Sequence, residues 1–307
     1  MEYLEKFSRL AVVLSFFCIL GCTSSGHGDI SERTLALPVL TNGKAVSVPT
    51  ACNTLNLVSI NLAHGRKDSM NQWLVSRQKT RKNLDDIAEF LLQVNADVVA
   101  LQEGDSASAW SGGFDHVAYL AEKAGFPYYV YSEHARIIMG NYGTAVLSKW
   151  PVRDAVGLTF AATPPTASKG FTLAQIEWCD PMAPNKAVLL DVVSVHLDFS
   201  RKSVRKEQID ELVEVVRPRD NPLVIMGDFN SEWLARQYTV DSFADSSPLH
   251  VYGAAKEDLN TYKDQRLDWI LLSRDISFKN YRAEEAVLSD HRAIFATIEL
   301  SAEEESP

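Results

Sequence analysis

Apolar runs and apolar stripes alternate along this chain, and they do so in an order that repeats. Thr54 to Ile60 (TLNLVSI) reads as a strand that ends at Asn61. Leu84, Ile87, Ala88, Leu91 and Leu92 then recur at i, i+3, i+4, i+7 and i+8, one face of a helix. Asp97 to Gln102 (DVVALQ) is a short buried strand that stops at Glu103. The same order returns later. Lys186 to Val195 (KAVLLDVVSV) is a strand ending at His196, and Ile209, Leu212, Val213 and Val216 form a second helical stripe. Pro222 to Met226 (PLVIM) is a buried strand stopping at Gly227-Asp228. Each half therefore reads as a β–α–β unit with one polar residue closing its first strand and a carboxylate closing its second. In parallel units of this kind, ligands collect at the carboxyl ends of the strands. Polar residues also follow strands for no functional reason, so the weight lies in four such positions repeating in order.

Between the halves, Val117, Leu120, Ala121 and Ala124 mark a short amphipathic stretch, followed by strand-like Pro127 to Tyr131 and Thr144 to Ser148. Phe171 to Trp178 and Asp268 to Leu272 also read as strands. In Ala293 to Leu300, the residues Ile294, Ala296, Ile298 and Leu300 alternate as in a half-buried strand. Pro164-Pro165 predicts a loop, and Glu303, Glu304 and Glu305 a solvated tail. No long linker separates the halves. The pattern predicts a single α/β domain of two similar halves.

Composition narrows the class. The 307 residues are 46% hydrophobic and 23% charged, an ordinary globular balance that excludes a disordered, collagen-like or multi-span membrane chain. The formal charge of −10 argues against a long, non-specific grip on nucleic acid. The charge is unevenly spread. Arg66, Lys67, Arg77, Lys79, Arg81 and Lys82 face only Asp68 within that window, for a net +5. Arg201, Lys202, Arg205 and Lys206 face Asp198, for a net +3, so all the rest carries −18. These clusters read either as solvated helix faces or as a basic rim that draws in an anionic substrate.

Leu10 to Leu20 (LAVVLSFFCIL), behind Lys6 and Arg9, is too short to span a bilayer and fits the apolar region of an export signal, with a buried helix as the alternative. Ile19-Leu20-Gly21-Cys22 resembles a bacterial lipobox, which implies cleavage before Cys22 and lipidation of its sulfur. Glu2 and Glu5 offset the usual positive start. The expected organisation is a signal peptide over 1–21, a lipid-anchored tether and N-terminal arm over 22–50, a catalytic domain over 51–301 and an acidic tail over 302–307. The expected location is the bacterial cell envelope, facing the periplasm or exterior, as a monomer whose only membrane contact is the anchor. Cys52 and Cys179 remain, either as one pair or as two buried thiols.

Gly227-Asp228-Phe229-Asn230 is the most informative tetrapeptide, because it follows a fully apolar run and must leave the core at the strand end. Together with Asn61, Leu101-Gln102-Glu103, His196, Leu267-Asp268-Trp269-Ile270 and Ser289-Asp290-His291, it resembles the endonuclease/exonuclease/phosphatase superfamily. Gly143-Thr144-Ala145-Val146-Leu147-Ser148 matches another family segment, and the resemblance runs from about Leu55 to Leu300. It implies a four-layer α/β/β/α sandwich and hydrolysis of a phosphate ester. It further implies Mg²⁺, with Mn²⁺ as the alternative, held by Glu103, Asn61 and Asp290. Oxygen ligands with few carboxylates suit Mg²⁺, and the thiolate and histidine clusters of zinc sites are missing from the sequence.

By the same resemblance, Asp268 fixes the tautomer of His291, and Asp228 orients the attacking water. Asn230 binds a phosphoryl oxygen, and His196 lies on the phosphate or leaving-group side. Asn61 and Tyr142 are expected to line the substrate pocket. Whether a histidine or the aspartate takes the proton stays open. Asn61-Leu62-Ala63 lacks the acid or arginine that some branches carry two residues after the Asn. Asp198 reads as a capping or solvated acid. The expected partner is a phosphate-ester substrate, with a phosphodiester first and an inositol- or sugar-phosphate monoester or DNA second. Nucleic acid is the less favoured substrate. A lipoprotein that only binds an anionic ligand is the alternative of another class.

Overall fold

A computed structural model describes residues 29–43, 53–137, 140–179, 187–232, 249–254 and 256–301. The chain opens with a helical turn, α1 (Ile30–Arg33), and two short strands, β1 (Thr34–Ala36) and β2 (Leu40–Thr41). The first unit is β3 (Leu55–Asn61), α2 (Arg77–Gln93) and β4 (Val98–Asp105), followed by α3 (His116–Lys123). The antiparallel strands β5 (Tyr128–Ile137), β6 (Gly140–Ser148), β7 (Val152–Thr159) and β8 (Gly170–Cys179) lead to the second unit. That unit is β9 (Ala187–His196), α4 (Lys202–Val216) and β10 (Leu223–Asp228). The strands β11 (His250–Val251), β12 (Asp268–Leu272), β13 (Ile276–Ala283) and β14 (Ile294–Leu300) close the fold.

Among the described residues these strands make two seven-stranded mixed sheets, β1-β7-β8-β9-β10-β12-β11 and β13-β14-β3-β4-β6-β5-β2. Both expected β–α–β units are present, with β3 parallel to β4 and β9 parallel to β10. Period-two alternation along the strands gives each sheet two apolar faces. The inner faces meet in one core, with Leu57, Val98, Val146 and Ala296 opposite Ala174, Val192, Met226 and Ile270. The outer face of one sheet packs Val58, Val99 and Leu147 on Leu84, Ile87 and Leu91 of α2 and Leu120 of α3. The outer face of the other packs Val193, Ile225 and Leu271 on Ile209, Leu212 and Val216 of α4. The result is the α/β/β/α sandwich.

Local chemistry starts the helices where the sites need them. The Ser76 hydroxyl caps α2 by accepting from the Lys79 N–H, and Asp115 caps α3 by accepting from Ala118. The segment expected as an arm is part of the sandwich: β1 pairs with β7 in one sheet, and β2 pairs with β5 in the other. Arg33 also makes two hydrogen bonds to the carboxylate of Glu211 on α4, at 2.8 and 3.0 Å. Cys179 is disulfide-bonded. The signal, lipobox, Cys52 and acidic tail lie outside the described residues.

Candidate active site

Register brings the polar strand ends together. His196 pairs with Asp228 across the parallel strands β9 and β10, and Asp228 pairs with Asp268 across β10 and β12. One row over three strands thus holds three of the expected residues. From the other sheet, Asn61 donates through Nδ2 to Asp228 Oδ2 at 3.1 Å. Its Oδ1 accepts from the Ala63 N–H at 2.9 Å. A bulge between Leu101 and Gly104 interrupts the pairing of β4 with β6, and Glu103 sits within it at φ +50°. Bulges re-aim side chains beside active sites. Here the Glu103 carboxylate comes 4.0 Å from His196 Nε2.

Gly227 makes the tight approach of β10 to β9 feasible. Its φ is +151°, and a Cβ there would lie 1.9 Å from the Val195 carbonyl oxygen. The main chain can therefore deliver Asp228 directly beside His196.

His291 Nδ1 lies 2.8 Å from Asp268 Oδ2, which leaves Nε2 facing Asp228 Oδ2 at 4.0 Å. Burial opposes the charged imidazole, but Asp268 and Asp228 outweigh it and raise the His291 pKa to about 10. Burial and the neighbouring Asp268 charge push Asp228 above the usual carboxylate range. Burial also favours protonated Glu103, yet the charges of His64, Lys169 and His291 hold it at about 2. His196 is driven well below its ordinary value by burial and then by the Lys169 charge, so its ring is neutral.

Three participants were not anticipated from sequence. His64, at φ +56°, places Nδ1 2.6 Å from buried Asp105 and Nε2 3.4 Å from Glu103. It thus forms a second histidine–aspartate pair, on the sheet opposite His291–Asp268. The ammonium of Lys169, buried beside Tyr142, lies 3.1 Å from His196 Nε2 and 3.8 Å from Glu103 Oε1. A histidine followed by glycine three residues after Asn61 was the available signal for His64. Ser168-Lys169-Gly170 resembles an ordinary turn, and nothing local marks its lysine as buried.

The remaining expected residues take other partners. Asn230 donates its side-chain amide to the Leu197 carbonyl at 3.0 Å and its N–H to Asp228 Oδ1 at 2.9 Å, tying the strand ends together. Asp290 accepts from Arg66 Nη2 at 2.5 Å. Tyr142 is buried and lines a small recess with His134, Lys169 and His196. Asp198 is fully buried and caps its loop, accepting from the Ser200 and Arg201 N–H groups and from Thr166. The basic windows are partly answered from just beyond their limits, since Asp86 receives both Lys67 and Lys82, and Asp210 receives Lys206.

The donor chemistry fits a hard divalent cation. Ionised Glu103 is a ready oxygen ligand. Asp228 and Asp268, grouped with His291 so that their side-chain atoms lie within 4.8 Å of one another, add carboxylate oxygens. Asp268 Oδ1 is buried with no hydrogen-bond partner, and the like charges of Asp228 and Asp268 would be relieved by a nearby cation.

Residues 58–291 match the family model described as the Endonuclease/Exonuclease/phosphatase family. The chain belongs to this family. No curated protein matches it. Solved structures of the endonuclease/exonuclease/phosphatase fold do. A family protein from Leptotrichia buccalis is 17% identical with a TM-score of 0.61, covering 80% of this chain and 100% of its own. A mannosyl-6-phosphatase from Bacteroides thetaiotaomicron is 16% identical, with a TM-score of 0.54, covering 81% and 100%. D. rerio TDP2 complexed with a single-strand DNA product is 16% identical, with a TM-score of 0.57, covering 80% and 98%. At these identities the likeness is one of fold. The family acts on phosphate esters, and its name spans nucleases and phosphatases.

Proposed function

We propose that the protein is a Mg²⁺-dependent phosphodiesterase that works outside the cytoplasm. The observation that carries this reading is the convergence of Glu103 from one sheet with His196, Asp228 and the Asp268–His291 pair at the strand ends. Glu103 would hold the cation, joined by Asn61 and Asp290 once these exchange their present partners, the Ala63 N–H and Arg66, and Mn²⁺ suits the same ligands. When bound, the cation neutralises charge on the phosphoryl oxygens.

The chain's own groups divide the remaining work. Asp228, its proton affinity raised by burial, orients the attacking water and takes its proton as the new P–O bond forms. His291, kept charged and oriented by Asp268, donates through Nε2 to a phosphoryl oxygen. Neutral His196, beside Asp228, contacts the phosphate, and the adjoining Lys169 ammonium gives a proton to the leaving oxygen as the ester bond breaks. Asn230 keeps Asp228 in place and offers its amide edge to the phosphate, while Tyr142 lines the recess next to it. His64 and Asp105 hold Glu103 from behind.

The test is turnover of bis-p-nitrophenyl phosphate and p-nitrophenyl phosphate with Mg²⁺ or EDTA, followed by plasmid DNA, sphingomyelin, phosphatidylinositol and inositol phosphates. EDTA-sensitive hydrolysis of diesters above monoesters is expected. Preference for the monoester would move the protein to the phosphatases, and no EDTA-sensitive turnover on any of them would sink the reading.

A further inference from the structure

Leu35, Leu92 and Val287 are exposed singly, but four further exposed apolar side chains lie on the connections that follow the site residues. Met70, Trp73 and Leu74 lie in the connection that leaves β3 after Asn61, and Phe199 in the connection that leaves β9 after His196. These are the equivalent crossovers of the two halves, and both emerge at the mouth of the site. Their exposures are 92%, 52%, 76% and 64% respectively. Ile137, 41% exposed, ends β5 opposite Gly140, two residues before Tyr142 on β6. The patch is continuous with the chemistry: Trp73 packs edge-on against Trp110 at 6.4 Å, Trp110 lies 5.0 Å from His64, and His64 reaches Glu103.

Cations share this face. Arg77, Lys79, Arg81 and Lys82 are exposed on the first turns of α2, and Lys202 and Lys206 on α4. Neither helix carries an acid in its first turn. Cations at a helix N-terminus oppose its dipole, although Lys82 and Lys206 are offset by pairs with Asp86 and Asp210 one turn on, and Arg77 and Arg81 lie over the Phe114 ring. Protruding apolar side chains ringed by cations at one mouth match the headgroup zone of a membrane. Single-stranded nucleic acid would want aromatic platforms. Met70 and Leu74, the two most exposed of the set, have no ring to stack.

We propose that this mouth is a docking face for an anionic phospholipid bilayer. Met70, Trp73, Leu74 and Phe199 enter the headgroup region, and the cations of α2 and α4 meet lipid phosphates. Among the described residues no helix is long and apolar enough to cross a membrane, so this contact is peripheral. It is additional to any lipid anchor at Cys22 and independent of turnover.

The test is co-sedimentation of residues 29–307 with vesicles of phosphatidylcholine, with and without phosphatidylglycerol. That span contains the whole sandwich, to which the complete Leptotrichia chain corresponds. Salt-sensitive binding to the phosphatidylglycerol vesicles is expected, with a blue shift of tryptophan emission and quenching by brominated lipid. Combined Met70→Glu, Leu74→Glu and Phe199→Glu should weaken binding by an order of magnitude or more, with the thermal midpoint unchanged. Asp228→Asn should bind as the parent does, which separates failure of docking from failure of the catalytic reading. No vesicle binding, or equal binding by the triple variant, overturns the proposal. Binding of single-stranded oligonucleotide that the same triple substitution abolishes, without vesicle binding, would assign the face to nucleic acid instead.

Discussion

Individual side chains here are legible in sequence only where the backbone alone decides their place. Asn61, His196, Asp228 and Asp268 each begin or end a strand in the register, so an apolar run next to a polar residue was enough to find them. Lys169 is buried against residues of other strands, and Asp105 against His64, Trp110 and Ser111, and no apolar alternation marks either place. The His291–Asp268 pair yields a prediction. The folded state raises the His291 pKa from 6.5 to about 10, so it binds that proton more tightly than the unfolded chain. Its stabilising contribution is therefore full below about pH 6.5 and is lost as pH rises toward about 10. In Asp268→Asn, NMR titration should show the His291 value falling back toward 6.5, and denaturation midpoints should converge with the parent at high pH. An unchanged histidine titration would mean that Asp268 does not charge the ring.

At the level of strands and helices, the buried parallel pairs and amphipathic helices were readable because both faces, or one stripe, are apolar throughout. Strands β7 and β13 were not. Each carries charges, Arg153 and Asp154 in one and Lys279 and Arg282 in the other, because they lie at or next to a sheet edge and face solvent. Nor was the bulge at Glu103 foreseeable, since an inserted residue leaves alternation intact on either side. The β9–β10 approach gives the second prediction. Gly227→Ala must separate the strands or twist the chain, because the new Cβ meets the Val195 carbonyl. A loss of about 2 kcal/mol or more is expected from chemical denaturation, together with loss of turnover. Retention of both would show that the backbone can relax there.

Across the whole molecule, the chain's negative charge coexists with cations gathered at the mouth, although Asp86 and Asp210 answer part of that excess. The disulfide at Cys179 favours an oxidising compartment and agrees with the proposed export. If Cys22 carries the lipid, Cys22→Ser should move the protein from the membrane to the soluble fraction at high salt, a condition that also weakens docking through the mouth. Unchanged retention under that condition would exclude lipidation at this residue. The two sheets meet through an apolar core crossed by several polar links, among them Asn61 donating to Asp228 at 3.1 Å, Gln102 donating to Ser194 Oγ at 3.0 Å and the Thr144–Thr172 hydroxyl pair at 2.8 Å. Because Glu103 rides on one sheet and His196 and Asp228 on the other, the cleft behaves as a vernier. A slip of one residue along a strand, about 3.3 Å, exceeds any hydrogen-bond tolerance while leaving each sheet whole. On heating, turnover is therefore expected to fall before the thermal midpoint of unfolding, a difference that activity and circular dichroism on one sample would read.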